Sequence, residues 1–139
     1  MAVIEFSVKG KPNAQMRHRT VNRPGFKGTY DPSKDAKKDF LLMAHNKAPK
    51  EPLTGPLGLT AIFYMPRPKN HFGTGKKASF LKEDAPEYYT NRPDCDNFCK
   101  LVMDALTGIF WRDDSQICQL FTQKLYSDSP RTYILIQTL

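Results

Sequence analysis

The 139-residue chain has no apolar run long enough to cross a bilayer, which excludes a helical membrane span. Its three cysteines, Cys95, Cys99 and Cys118, are an odd number, and three residues rather than two separate Cys95 from Cys99. His18, His45 and His71 fall at no paired spacing. A structural zinc site and a disulfide framework are therefore not expected, and reduced thiols suit a reducing compartment. The segment Gly73-Thr-Gly-Lys-Lys77 lacks the four-residue gap and closing Gly-Lys-Ser/Thr of a phosphate loop, so nucleotide binding of that kind is excluded. The amino terminus, Met1-Ala-Val-Ile-Glu-Phe-Ser-Val-Lys9, alternates apolar and polar residues and lacks the zones of a signal peptide. A soluble protein in the cytoplasm is the expectation.

What is present is enough for one folded domain over residues 1–139. Hydrophobic residues make up 40% and aromatics 12%, which argues against wholesale disorder, while a mean hydropathy of −0.55 requires a very polar surface. The net charge of +7 is unevenly placed. Residues 1–82 hold 16 Lys/Arg against 5 Asp/Glu, whereas residues 83–139 hold 5 against 9. A basic first part facing a later acidic cluster suits a metal-dependent nuclease, which must attract phosphate and still keep carboxylates for a metal. A basic surface that serves only solubility gives the same totals.

Along the chain, residues 2–9 read as a strand and Gly10–Asn13 as a turn. Gln15–Tyr30 is polar and Arg-rich, with Gly25 and Gly28, and reads as a loop; Arg17, Arg19 and Arg23 are its candidate DNA contacts. Asp31-Pro32 resembles a helix start, and Ala36, Phe40, Leu41 and Ala44 recur at helical spacing until Ala48-Pro49. Leu57–Met65 is rich in strand formers and is stopped by Pro66. From Arg67 to Arg92 no period is evident. Lys69, Lys76 and Lys77, interleaved with Phe72, Phe80, Tyr88 and Tyr89, suit a mobile basic flap on DNA, and an exposed insert without that role fits equally.

The informative stretch runs from Arg92 to Gly108. At helical spacing Phe98, Leu101, Val102, Ala105 and Leu106 share one face, and Asp96, Lys100 and Asp104 line another. Gly108 suits a left-handed helix end, after which Asp113 and Asp114 are expected to return beside Asp94 and Asp96. Gln116–Tyr126 and Arg131–Leu139 then read as two strands around a Ser127–Pro130 turn. Carboxylates gathered where phosphate must enter make chemical sense with Mg²⁺ or Mn²⁺ between them. A plainer reading stands beside this one: Asp94 or Asp96 caps the helix, Lys100 pairs with Asp96 and Asp104, and Asp113-Asp114 sits in a turn. An EF-hand is disfavoured, because Asp94-Cys-Asp-Asn97 is followed by neither the required glycine nor the closing Glu.

Asp94-x-Asp96-Asn97-x-x-Lys100, then Asp104-Ala-Leu, then Phe110-Trp-x-Asp-Asp114-x-Gln116, resembles the signature of the RusA family of Holliday junction resolvases, common in phages and prophages. The specific match covers roughly residues 91–118, with a weaker similarity before it. The resemblance implies a homodimer that binds four-way junctions and nicks two opposing strands with Mg²⁺, for which Mn²⁺ is a substitute. Carried over by position, the catalytic residues are Asp94, Asp96, Lys100 and Asp114, and the metal ligands are Asp94, Asp96 and Asp114; the role of Asp113 stays open. A nuclease for flaps, forks or other branched DNA, and a non-catalytic DNA-binding module, are the alternatives. The expected fold is a single α+β domain, a mixed sheet of about four or five strands with two helices packed on it in the order β-α-β-α-β-β.

Overall fold

The computed structural model describes residues 2–139. Its centre is a mixed four-stranded sheet in the order β1-β6-β4-β5, built from β1 (Val3–Lys9), β4 (Leu57–Pro66), β5 (Ile117–Ser127) and β6 (Arg131–Thr138). β6 pairs antiparallel with both β1 and β4, and β4 runs parallel to β5. The parallel pair needs a long crossover, and helix α2 (Cys95–Leu106) lies within it. Helix α1 (Lys34–Ala44) connects the amino-terminal strands to β4. The α+β class, the mixed sheet and the two helices agree with expectation.

Both helices cover one face. Alternate β4 residues Leu57, Leu59, Ala61, Phe63 and Met65 are buried, together with Phe6, Val8, Ile134 and Ile136 from the flanking strands. They meet Phe98, Leu101, Val102, Ala105 and Leu106 of α2 and Phe40 and Ala44 of α1. Phe63 stacks on Phe98 with centroids 4.7 Å apart, which fixes the first turns of α2 on the central strand. Phe110 and Trp111, fully buried, fill the far end of the helix layer. Gly108, with φ of +92°, makes the reversal between them and α2, where any Cβ would be strained.

Two expectations are corrected. Gln15–Tyr30 is not simply a loop: Arg19–Arg23 and Phe26–Tyr30 pair as an antiparallel hairpin, β2 and β3, turning at Pro24-Gly25 with Gly25 at φ +79°. The element order gains two strands that join no larger sheet. Helix α1 also begins later than Asp31-Pro32, at Lys34. Asp31 instead accepts from the Ser33 amide at 2.9 Å and from Gln15 Nε2 at 2.8 Å, tying the hairpin to the start of α1.

The segment 67–92 carries two short 3₁₀ turns and a Phe72–Leu81 bridge. Its last part is laid along β5. The Tyr89 amide donates to the Lys124 carbonyl and the Tyr126 amide to the Glu87 carbonyl, each at 2.9 Å. Lys124 Nζ in turn donates to the carbonyls of Asn91 and Pro93 at 2.8 Å, so the residues leading into α2 are strapped to the sheet.

Candidate active site

Two chain segments meet at the start of α2. The strap ending at Pro93 delivers Asp94 as the residue preceding the helix, and residues 14–16 cross above it, where the Gln15 amide donates to the Asn97 carbonyl at 2.9 Å. An open cleft of about 740 Å³ results, lined by Met16, Arg17, Arg92, Pro93, Asp94 and Asn97. A second cavity, between β1, α1 and α2, is about 70 Å³ and lined in part by Val8, Phe40, Leu101 and Val102. Of these two, the first is the larger, and its Arg17, Arg92 and Asn97 suit a phosphodiester.

Two arginines, Arg17 and Arg92, thus share one cleft with the helix start, where the unpaired amides of the first turn add partial positive charge. Against this field stand Asp94 and Asp96, both exposed, and neither makes an ion pair among the described residues. Asp94 occupies the cap position, yet its side chain makes no capping hydrogen bond. The capping role is thus not what holds these carboxylates.

Lys100, one turn on from Asp96, pairs with Asp104 at 3.7 Å and not with Asp96. Asp104 also binds Lys37 Nζ at 3.1 Å, and Lys37 binds Asp31 at 2.6 Å. A chain of alternating charges thus runs from Asp31 through α1 to Lys100. The Lys37 ammonium, joined by the Gln15 amide, holds the Asp31 carboxyl far below the usual carboxylate range. Burial alone would lower Lys37, but its hydrogen bonds to the two aspartates outweigh this and the net shift is upward.

Asp113 and Asp114 differ although adjacent. Asp113 accepts from the Ser115 amide at 2.9 Å and caps the short 3₁₀ turn Asp114–Gln116, and this hydrogen bond draws its pKa down. The Gln116 side chain closes the reciprocal cap and anchors the turn to the carbonyls of Leu53 and Gly55 at 3.0 Å. Asp113 is therefore a local structural residue. Asp114 is exposed and makes no ion pair among the described residues.

Within one chain the expected three-carboxylate set does not assemble. Among the described residues, no group of three His, Cys, Asp or Glu side chains is placed to hold a metal. Asp114 precedes β5, whereas Asp94 stands beside Lys124, seven residues into that strand. At the strand rise the seven residues from Ile117 to Lys124 span about 23 Å, and the 12 residues of α2 span about 18 Å, so Asp114 and Asp94 stand roughly 20 Å apart.

Of the expected DNA contacts, Arg17 lines the cleft, Arg19 and Arg23 project from the exposed β2, and Lys69, Lys76 and Lys77 are exposed on the 67–92 segment. Arg92 and Asn97 belong to the cleft as well and were not among the expected contacts, although both sit inside the motif. Their positions beside Asp94 were the available signal. Lys124 carried no local signal, because its role depends on a strap more than 30 residues earlier.

The fold and cleft define a small single-domain α+β protein in which two arginines and an aspartate without an ion pair among the described residues line one cleft. The chain belongs to the RusA endodeoxyribonuclease family, whose model matches residues 9–137. It is also 37% identical over 142 residues to the uncharacterized protein YqaN of Bacillus subtilis (strain 168), covering 99% of this chain and 97% of that protein.

Proposed function

We propose that this protein is a Mg²⁺-dependent endonuclease that resolves Holliday junctions as a homodimer, in the DNA recombination and repair of a cell's cytoplasm. The observation that carries this reading is the cleft at the start of α2, where Asp94 shares the lining with Arg17 and Arg92 and the exposed Asp96 follows in the first turn. Exposed carboxylates next to basic side chains leave one place for a cation and another for a phosphate, so that the two can enter together. Two carboxylates completed by water and phosphate oxygens fit the hard, oxygen-seeking Mg²⁺, with Mn²⁺ as a substitute. When bound, the metal supplies Lewis acidity to the phosphoryl oxygen and lowers the pKa of water.

The chain's own residues do the rest. Asp94 and Asp96 hold the cation; Asp114, too distant within one chain, is a third donor only from the second copy of the homodimer. Arg17 and Arg92 grip phosphate oxygens through their planar forks. Lys100, kept on the same helix face by Asp104, offsets the charge that builds on the phosphoryl group during attack. The exposed lysines Lys69, Lys76 and Lys77 and the β2 arginines lengthen the basic surface for the arms of the junction.

A synthetic four-way junction incubated with protein and Mg²⁺ is expected to give paired, symmetric nicks with ligatable ends. Equal cleavage of linear duplex would overturn the junction specificity, and preference for flaps or forks in the same panel would reassign the substrate. Binding without cleavage at any metal concentration would reduce the protein to a DNA-binding module.

A further inference from the structure

Between β4 and the strap, residues 67–82 fold into a flap with hydrogen bonds of its own. The Lys82 amide donates to the His71 carbonyl at 2.9 Å and the Gly73 amide to that of Phe80 at 3.0 Å, and Phe72 bridges Leu81. A Cβ at Gly73 would stand 2.6 Å from the Lys77 carbonyl oxygen, so the turn closes only around a glycine. The flap carries Arg67, Lys69, Lys76, Lys77 and Lys82 and no Asp or Glu. None of these cations makes an ion pair among the described residues. Cations left unneutralised on an ordered loop suit a polyanion.

Where the flap meets the end of β5 it leaves a groove of about 380 Å³, lined by Phe72, Leu81 and Tyr126 and by Arg67, Ser127 and Asp128. Arg67 is held in place there. Its guanidinium donates to the Pro86 carbonyl at 2.8 Å and to His71 Nδ1 at 3.3 Å, and it lies 5.4 Å from the centroid of the Tyr126 ring. His71 packs edge-on against the same ring at 4.7 Å. The groove is thus walled by groups already fixed before a ligand arrives.

The mixture of groups selects the ligand. A phosphate in the groove would meet the Asp128 carboxylate, which makes no ion pair among the described residues, and an alkyl chain would leave Ser127 and Asp128 without partners. A flat ring with polar edges satisfies both sets: its faces pack on the aromatics, and its edge donates to Asp128 and accepts from Arg67. A nucleobase is such a ring, and the flap lysines suit the phosphates that flank it. Inside a duplex a base is stacked on both faces, so only an unpaired one reaches the groove. Tyr126 lies two residues beyond Lys124, about 7 Å along β5, and Lys124 binds the Pro93 carbonyl next to Asp94. The groove and the α2 cleft therefore share one end of the sheet.

We propose that this groove seats one unpaired nucleobase of a DNA strand against Phe72 and Tyr126, with Arg67 and Asp128 at its edge and Lys76 and Lys77 on the neighbouring phosphates. This rests on the reading above that the protein acts on branched DNA, and it adds that the branch must offer an unpaired nucleotide.

Binding without metal tests it, by fluorescence anisotropy on a labelled single strand and on a linear duplex of the same sequence. Phe72→Ala is expected to weaken single-strand binding about tenfold, the loss of one stacked base, and to leave duplex binding within about twofold. Phe72→Tyr, which keeps the ring, is expected to bind as wild type does. Equal weakening on both DNAs, or on neither, would overturn the groove site, as would a Phe72→Tyr variant as weak as Phe72→Ala. If Phe72→Ala does not fold, the wild-type protein decides through a single strand carrying 5-iodouracil, which crosslinks under irradiation to an aromatic ring stacked on it. The crosslinked peptide is expected to contain Phe72 or Tyr126; crosslinks only elsewhere, or none in a saturated complex, would overturn the proposal. A wild type that cleaves junctions and fails these tests keeps the nuclease reading and loses the groove site, whereas one that passes them and cleaves no DNA does the reverse.

Discussion

The two ends of the α2 surface treat the same side chain in opposite ways. At its start Asp94 and Asp96 are exposed and without ion pairs among the described residues, and Asp94 lines a cleft that also holds Arg17 and Arg92. Two to three turns later Asp104 is partly buried and bound by Lys37 at 3.1 Å and Lys100 at 3.7 Å. Where the fold needs a carboxylate for its own cohesion, it supplies cations at contact distance. Where it leaves carboxylates unpaired near cationic side chains, it leaves room for the metal and phosphate of the proposed function.

The largest way to sharpen this contrast is Asp96→Asn. Cleavage is expected to fall by about a thousandfold, the scale of losing a key charge-stabilising group. The urea midpoint should stay level or rise, because no internal ion pair is lost; a clearly lower midpoint would place Asp96 with the structural carboxylates. Lys100→Ala is next, with single-turnover cleavage slowed about a hundredfold and junction affinity little changed. The reverse pattern, weaker binding at an unchanged rate, would show that Lys100 only grips DNA.

Lys37→Ala probes the other end. It strands two partly buried carboxylates, and a loss of about 2 kcal/mol is expected by urea denaturation, less than a fully buried pair would give because the site is partly wet. A change below half of that would mean that Asp31 and Asp104 are held by solvent rather than by Lys37. The smallest effect concerns acid. The folded Asp31 carboxyl titrates well below its ordinary value of 3.8, so its contribution is present above that pH and is lost as pH falls toward the folded value. The stability gap between wild type and Asp31→Asn should therefore narrow below about pH 4. A gap independent of pH from 5 to 2 would remove Asp31 from the charged chain.

How much of this was legible varied with the range of the interaction. The strands 2–9 and 57–65, the helix starting at Asp94 and its reversal at Gly108 rest on periodicity and on turn chemistry, which are local. The β2-β3 hairpin was missed because both strands are exposed: Val21 and Gly28 are only partly buried, so no apolar alternation marks them. The start of α1 was displaced because Asp31, a good cap by type, is recruited by Gln15 and Lys37 instead. Asp94, Asp96 and Lys100 share one helix start, so their mutual placement follows from spacing alone. Asp114 was expected beside them, and its position depends on how α2 and β5 lie together.

By itself the sequence determined the class of fold, the family motif and the charged face of α2, because each depends on residues within a few turns of one another. Only the tertiary structure decided which aspartates are neutralised. Lys37 reaches Asp104 across two helices, Lys124 fixes the strap that presents Asp94, and the parallel β4-β5 pairing carries Asp114 to the opposite end of α2. Coulomb energy depends on distances in space, and partners far apart in sequence acquire those distances only when the elements pack.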